Sequence, residues 1–255
     1  MRSTLKYLLG FSRTRPIFVI GTGRSGTHWL GQSLGDHREI RATVEQQPMF
    51  DLATKMALNP ALERSLFDRL VSAYKWQLLK SAPRLYLDKT HPNIWLAEKL
   101  KATFRSALFV GIERNAYATV ASMLKHDGVL AWHTRWREFP VPNRFLGITP
   151  ELAKRYDTIP RAAQCAIRWL AHHDRMNALR LTLGSSLMVI SYEAFADNTE
   201  QTIRDLQHFL GLAAPIPVPE VKRNSLQKWR TQLSIEEVHQ IQSIISFPPP
   251  LLKAA

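Results

Sequence analysis

The sequence predicts a three-layer α/β/α fold with a central parallel sheet and a P-loop-like phosphate-binding turn, and three observations predict it. Short apolar runs alternate with longer segments of helical character, the order expected of successive βαβ units. The first run, Ile17-Phe18-Val19-Ile20, leads into a glycine-rich turn that opens a helix, the setting in which backbone N–H groups and the helix dipole bind phosphate. The 255 residues are 45% hydrophobic and 22% charged. Those are ordinary globular values, which set aside disordered and low-complexity chains and suit one domain over residues 1–255.

Taken in order, the first strand is bounded by Pro16 and Gly21 and is apolar throughout, as a buried strand is. A helix follows from Gly26 to Leu34, closed by Asp36, His37 and Arg38, and Glu39 to Val44 reads as a second strand ending at Glu45. Residues 49–80 read as helices broken at Pro60. Arg84 to Leu87 is a strand that delivers Asp88-Lys89-Thr90-His91-Pro92 at its tip. A helix around Trp95 to Lys101 precedes the strand Ala107 to Ile112, which hands Glu113 and Arg114 to a helix starting near Asn115. From 126 to 160 the pattern loosens, with Trp132, Trp136, Phe139, Pro140, Pro142 and Phe145 among scattered basic residues, and this stretch reads as a lid or substrate region. A long helix, Arg161 to Leu183, is followed by the strand Leu187 to Ser191 and the helix Thr199 to Leu210, ended by Gly211. Pro215, Pro217 and Pro219 make a stiff connector. The final helix runs from Ser234 to Ile245, with Glu237 completing a capping box.

The 34 Lys and Arg against 21 Asp and Glu leave a net charge of +13, so an anionic partner is expected. Nucleic acid, an acidic membrane face and a nucleotide all satisfy that charge. The single cysteine, Cys165, excludes an intrachain disulfide and a cysteine-based metal cluster, and reads as a small apolar side chain on a helix. This usage suits a cytoplasmic location. The N-terminal stretch sets Leu5, Leu8 and Leu9 beside Arg2, Lys6, Arg13 and Arg15. That composition would suit peripheral contact with an anionic membrane, although a short packing helix or frayed end is the plainer reading. His172 and His173 are neighbours on one helix, point in different directions, and read as surface or lid residues; no metal-ligand spacing stands out.

Gly21-Thr22-Gly23-Arg24-Ser25-Gly26-Thr27 can be read in three ways. It satisfies G-x-G-x-x-G, and Glu45 lies 19 positions beyond Gly26 at the end of a second strand, as the ribose-binding acid of a dinucleotide fold does. A Rossmann-type NAD(P)-dependent oxidoreductase is therefore the alternative. It also satisfies G-x-x-x-x-G, but Thr27 stands where an ATP-binding P-loop needs lysine, which disfavours a kinase or NTPase. In the third reading, Arg24-Ser25-Gly26-Thr27-His28-Trp29-Leu30 resembles the 5′-phosphosulfate-binding loop of sulfotransferases. Glu113 to Ser122 resembles that family's 3′-phosphate motif, an arginine at a strand end and a serine eight residues later. Asp88 to Pro92 resembles the Lys-Thr-His-x-Pro segment of cytosolic members, with the proline one residue early. Asp36-His37-Arg38-Glu39-Ile40 leading to Glu45 resembles the segment that supplies a catalytic glutamate in tyrosylprotein and many bacterial members. Ser191-Tyr192-Glu193-Ala194-Phe195, with Phe209-Leu210-Gly211-Leu212, resembles a signature near the end of the family's core.

The resemblance spans Ile17 to Leu212 and extends toward Trp229 and Arg230. It implies transfer of a sulfuryl group from 3′-phosphoadenosine 5′-phosphosulfate (PAPS) to an acceptor hydroxyl or amine, leaving adenosine 3′,5′-bisphosphate (PAP). It implies that Gly23, Arg24, Ser25, Gly26, Thr27 and His28 hold the phosphosulfate, that Trp29 stacks on adenine and Tyr192 reaches its edge, and that Arg114 and Ser122 take the 3′-phosphate. Lys222, Arg223 and Lys228 would correspond to the basic segment that closes over that phosphate, without the glycine found there in cytosolic members; a solvated basic loop is the other reading. Lys89 and Arg24 are the cations for charge on the bridging oxygen. Glu45 and His91 each match a family base, and the choice between them stays open. No metal is required. The acceptor is expected to be a small molecule, carbohydrate or lipid rather than nucleic acid, since no nucleic-acid module accompanies the aromatic and basic residues near Trp132 and Arg135 to Arg137.

Overall fold

The computed structural model describes residues 15–217 and 224–249. Residues 1–14 of the stretch read as a membrane-contact segment, Pro219, and the two basic positions Lys222 and Arg223 lie outside the described residues, while Arg15 donates to the Leu210 carbonyl.

Five strands, β1 (Pro16–Gly21), β2 (Ile40–Val44), β3 (Leu85–Lys89), β4 (Leu108–Glu113) and β5 (Leu187–Ser191), form one parallel sheet in the order β2-β3-β1-β4-β5. The apolar run of β1 is continuous because both sheet faces are covered. Phe18 and Ile20 face a core shared with Tyr74, Tyr86, Phe109 and Met176. Ile17 and Val19 face a second core with Leu30, Leu34, Val110 and Leu206. The two-residue alternation of a strand sorts the side chains between those layers.

The first face is covered by α2 (Met49–Leu58), α3 (Glu63–Ser81), α4 (Ala97–Thr103) and the long α8 (Arg161–Leu183). The second is covered by α1 (Thr27–Gly35), α9 (Tyr192–Asp197) and α10 (Thr199–Leu210). The remaining helices are α5 (Ala116–Met123), α6 (Asp127–Thr134), α7 (Pro150–Ala153), α11 (Asn224–Gln227), α12 (Trp229–Gln232) and α13 (Ile235–Ser246), the last begun by the Ser234–Glu237 capping box. Among the described residues no helix is long and apolar enough to cross a membrane.

The strand order decides where a ligand sits. The crossover leaving β1 runs toward β2, and the one leaving β4 runs toward β5, so a crevice opens between the carboxyl ends of β1 and β4. A dinucleotide fold would place β2 directly beside β1. Here β3 lies between them, so Glu45 meets Lys89 and His91 and does not serve as a ribose acid at the edge of β1.

Three local expectations need correction. β3 runs on through Asp88 and Lys89, two charged residues that apolarity alone places outside a strand, because Asp88 is buried with four hydrogen-bond donors. Pro92 starts a 3-10 turn, His91–Trp95, and the helix proper begins at Ala97. His172 is buried, not on the surface: its Nδ1–H donates to the Arg168 carbonyl (2.9 Å) and its Nε2 accepts from Trp95 Nε1 (3.3 Å). His173 is half-buried against Glu113.

Residues 126–160 contain α6, two 3-10 turns, the Asn143–Ile148 bridge and α7. Their Trp136, Phe145, Leu146, Ile148, Leu152 and Tyr156 share a core with Ala57 and Leu58 of α2 and Ile167 of α8, and the buried Cys165 of α8 meets His133 at 3.8 Å.

Candidate active site

At the carboxyl edge of the sheet a cavity of about 470 Å³ is walled by the glycine-rich turn, Glu45, Lys89, His91, Arg114, Ser122 and Tyr192. The turn begins where β1 stops pairing. Gly26 is left-handed (φ +102°) and caps α1 with no side-chain hydrogen bond, so the first N–H groups of that helix remain free for an anion. A β-carbon at Gly26 would lie 2.7 Å from Tyr192 Cδ2, which is why only glycine fits. Gly23, Arg24, Thr27, His28 and Trp29 line the cavity as expected of a phosphate loop. Ser25 does not. It is fully buried, and its hydroxyl reaches the carbonyls of Thr22 (2.7 Å) and Ile112 (3.0 Å), tying the turn to β4. Its hydroxyl is spent on these two carbonyls and Ser25 does not line the cavity. Trp29 packs edge-on against Tyr192 and Phe195 while lining the cavity.

Arg24 (φ +80°) and Glu45 (φ +48°) are the two non-glycine residues with left-handed backbone among the described residues. Such conformations cost ~1–3 kcal/mol each, and they collect where geometry serves function. Glu45 follows β2, and its N–H donates to the Lys89 carbonyl (2.8 Å), extending the ladder by one residue. That turn points its carboxylate back over β3, where Lys89 Nζ and His91 Nδ1 (3.0 Å) both reach Oε1. Burial pushes the Glu45 carboxyl up, but the His91 hydrogen bond and the Lys89 ammonium outweigh it and hold it at about 2. Burial also lowers His91, to about 4, and pulls Lys89 below the usual lysine range. At neutral pH the cluster is therefore carboxylate, neutral imidazole and ammonium.

Beneath it, Asp88 anchors the tip of β3. Its carboxyl accepts from Thr43 (3.0 Å), Tyr74 (3.0 Å), Asn93 (3.1 Å) and Thr90 (3.3 Å), and burial raises it to about 6.

On the β4 side, Arg114 donates to the Ser225 carbonyl (2.6 Å) and lies 4.5 Å from the centroid of the Tyr192 ring, while Tyr192 OH meets Ser225 Oγ (2.9 Å). Arg24 Nε donates to Ser122 Oγ (3.2 Å), which joins the loop to the helix after β4. These residues open onto a second cavity of about 210 Å³, also lined by Lys125, Lys228, Trp229 and Gln232. Lys228, a weak expectation from sequence, thus faces the same space as Arg24, Arg114 and Ser122. Lys125 was missed, although its place one helical turn after Ser122 was a usable signal.

The main cavity is also lined by Gln32, Phe50, His126, Val129 and Trp132. Residues 126–160 thus contribute one wall of the cavity. Phe50 and His126 carried no motif.

Comparisons with known proteins identify the family and the fold. A family model described as the Sulfotransferase family matches residues 16–215, and the chain belongs to that family. Its fold is similar to that of the sulfotransferase domain from the curacin biosynthetic pathway, at a TM-score of 0.57 and 15% identity over 93% of this chain and 99% of that one. A sulfotransferase from Alicyclobacillus acidocaldarius matches with a TM-score of 0.52 and 17% identity, over 91% of this chain and 96% of that one. An uncharacterized protein of Aquifex aeolicus (strain VF5) is 24% identical over 87% of this chain; the match spans 31% of that longer relative.

Proposed function

We propose that the protein transfers a sulfuryl group from PAPS to a hydroxyl or amine of a small-molecule, carbohydrate or lipid acceptor. One observation carries this reading: two adjoining cationic cavities share Arg24, Arg114 and Ser122. A donor bearing a 5′-phosphosulfate and a 3′-phosphate on one ribose needs two such anion sites side by side. The free N–H groups of α1, with Gly23, Arg24, Thr27 and His28, suit the phosphosulfate. Arg114, Ser122, Lys125 and Lys228 suit the 3′-phosphate, and Arg114 Nε is buried with no partner of its own. Trp29 and Tyr192 offer aromatic surface between the two.

The donor supplies the labile S–O bond. Glu45 takes the proton from the acceptor hydroxyl while a new O–S bond forms and the bond to the bridging oxygen breaks. The electron pair stays on that oxygen, where Lys89 and Arg24 meet the developing charge. Lys89 neutralises Glu45 before reaction, so moving its ammonium toward the bridging oxygen raises the basicity of Glu45 at the moment it is needed. His91 holds the carboxylate in place.

Calorimetric titration with PAP, followed by transfer of labelled sulfate from PAPS to a panel of phenols, sugars, glycolipids and peptides, tests the reading. Tight PAP binding and a labelled product are expected; tight binding of NADH with indifference to PAP would overturn it.

A further inference from the structure

The division of roles between Glu45 and His91 turns on a residue that no motif singles out. Arg168, on α8, is fully buried and has no carboxylate partner among the described residues. Its guanidinium lies 5.1 Å from the centroid of the Trp132 ring and 4.7 Å from that of Phe145, and Nη1 reaches only the Met123 sulfur, at 4.0 Å. Nε and Nη2, which form one edge of the planar group, have no hydrogen-bond acceptor. His91 Nε2 is likewise buried and unpartnered. Both nitrogens flank one point beside the phosphate loop: a β-carbon at Gly23 would sit 3.1 Å from His91 Nε2 and 3.5 Å from Arg168 Nη2.

The chemistry of the two free groups is complementary. Glu45 is a carboxylate and can only accept, so the His91 Nδ1 that meets it must carry the hydrogen. A neutral imidazole with hydrogen on Nδ1 leaves Nε2 as a bare lone pair. The free N–H edge of a guanidinium is the donor such a lone pair needs, directly or through one bridging water. Arg168 cannot accept, so it can never pair with an N–H at that position.

We propose that Arg168 is a positioning residue for the transfer step: it holds His91 in the form with hydrogen on Nδ1, so that His91 orients Glu45 and does not itself take the acceptor proton. The charged and titratable groups facing His91 agree with this. Glu45 approaches from the end of β2, Lys89 from β3, and Arg168 and His172 from α8; Phe50, Trp132 and Phe145 complete the surroundings with rings that do not titrate. Of these, only Glu45 favours an imidazolium, while burial, Lys89 and Arg168 all oppose one. Set against the Trp132 ring, Arg168 also fixes a wall of the main cavity.

This rests on the transfer reading only for the name of the step, because its first test needs no turnover. Nitrogen-15 NMR of the full chain, with His91 assigned by comparison with His91→Gln, should show neutral imidazole protonated on Nδ1 at pH 6. An Nε2–H tautomer or an imidazolium at that pH overturns the proposal. In Arg168→Met the His91 titration should rise by about one unit, and the acid limb of the kcat profile should move with it. Arg168→Lys, which keeps the charge, should restore most of the shift. An unchanged His91 titration in folded Arg168→Met also overturns the proposal. If that variant does not fold, Arg168→Gln, which removes the charge and keeps polar N–H groups at the end of the side chain, makes the same comparison, and an unchanged His91 titration there overturns the proposal. Loss of PAP binding by the wild type would instead sink the transfer reading, and the tautomer result would stand by itself.

Discussion

Glu45 and His91 leave different strands and share one hydrogen bond, with Nδ1 of His91 3.0 Å from Oε1 of Glu45. Two residues that read as rival bases are thus parts of one unit, and the rivalry becomes a division of labour. Glu45→Gln should lower kcat by about 100- to 10,000-fold, the usual worth of a positioned base, while PAP affinity stays within about twofold. His91→Ala should cost less, since the carboxylate remains and loses only its orientation. Steady-state kinetics beside calorimetry check both, and a larger loss in His91→Ala than in Glu45→Gln would reverse the roles.

The second cavity makes a prediction about nucleotide selectivity. Lys125 faces the space assigned to the 3′-phosphate and does not line the main cavity. Lys125→Ala should therefore weaken PAP by about tenfold, the worth of one charge-assisted hydrogen bond, and leave adenosine 5′-monophosphate unaffected. Arg114→Ala should weaken PAP by more than Lys125→Ala, because it also releases Ser225 and Tyr192. Equal losses for both nucleotides in Lys125→Ala would contradict this placement.

Gly26→Ala should destabilise the fold by ~1–3 kcal/mol in urea unfolding, since alanine must adopt φ +102° and its methyl meets Tyr192 at 2.7 Å. PAP affinity should fall with it, because the displaced Tyr192 and the first turn of α1 belong to the same site.

Asp88 gives a pH signature of opposite sign to that of Glu45. Its folded carboxyl sits at about 6, above the 3.8 of an ordinary aspartate, so the folded state binds more protons between those values. Stability from this group is present at low pH and declines as pH rises through 6. Glu45, held at about 2 from 4.5, contributes stability that is present above pH 4.5 and declines as pH falls toward 2. The stability of the wild type relative to Asp88→Asn should fall by up to ~3 kcal/mol from pH 4 to pH 6 and be level above that range. A rising difference would show that the buried carboxyl is ionised at lower pH than its burial implies.

Much of the layered architecture was readable because its signals are local. The β1 run Ile17 to Ile20, the helix ended by Gly211 and the capping box at Ser234 each depend on residues a few positions apart, and each is found where expected. Arg24 and Thr27 of the loop and the pair Arg114 and Ser122, proposed from equally local patterns, line one cavity. The errors share a different cause. Ser25 looks like a phosphate ligand in the chain but donates to β4, and His172 looks superficial on its helix but is covered by Trp95 and Phe145. Burial of a polar side chain depends on what packs over it from elsewhere in the chain, and no local pattern records that.

By itself, the sequence determined the succession of strands and helices and singled out the glycine-rich turn with Arg24, Glu45, Lys89, His91 and Arg114, which the fold gathers around one cavity. Hydrophobic periodicity, capping and glycine stereochemistry act over a few residues and leave their marks there. Only the tertiary structure decided that β3 separates β1 from β2. That order brings Glu45 onto Lys89 and His91, and the packing of α8 brings Arg168 and His91 to the same side of Gly23. Neither follows from spacing along the chain, because strand order and helix packing are fixed by the burial of two whole sheet faces at once.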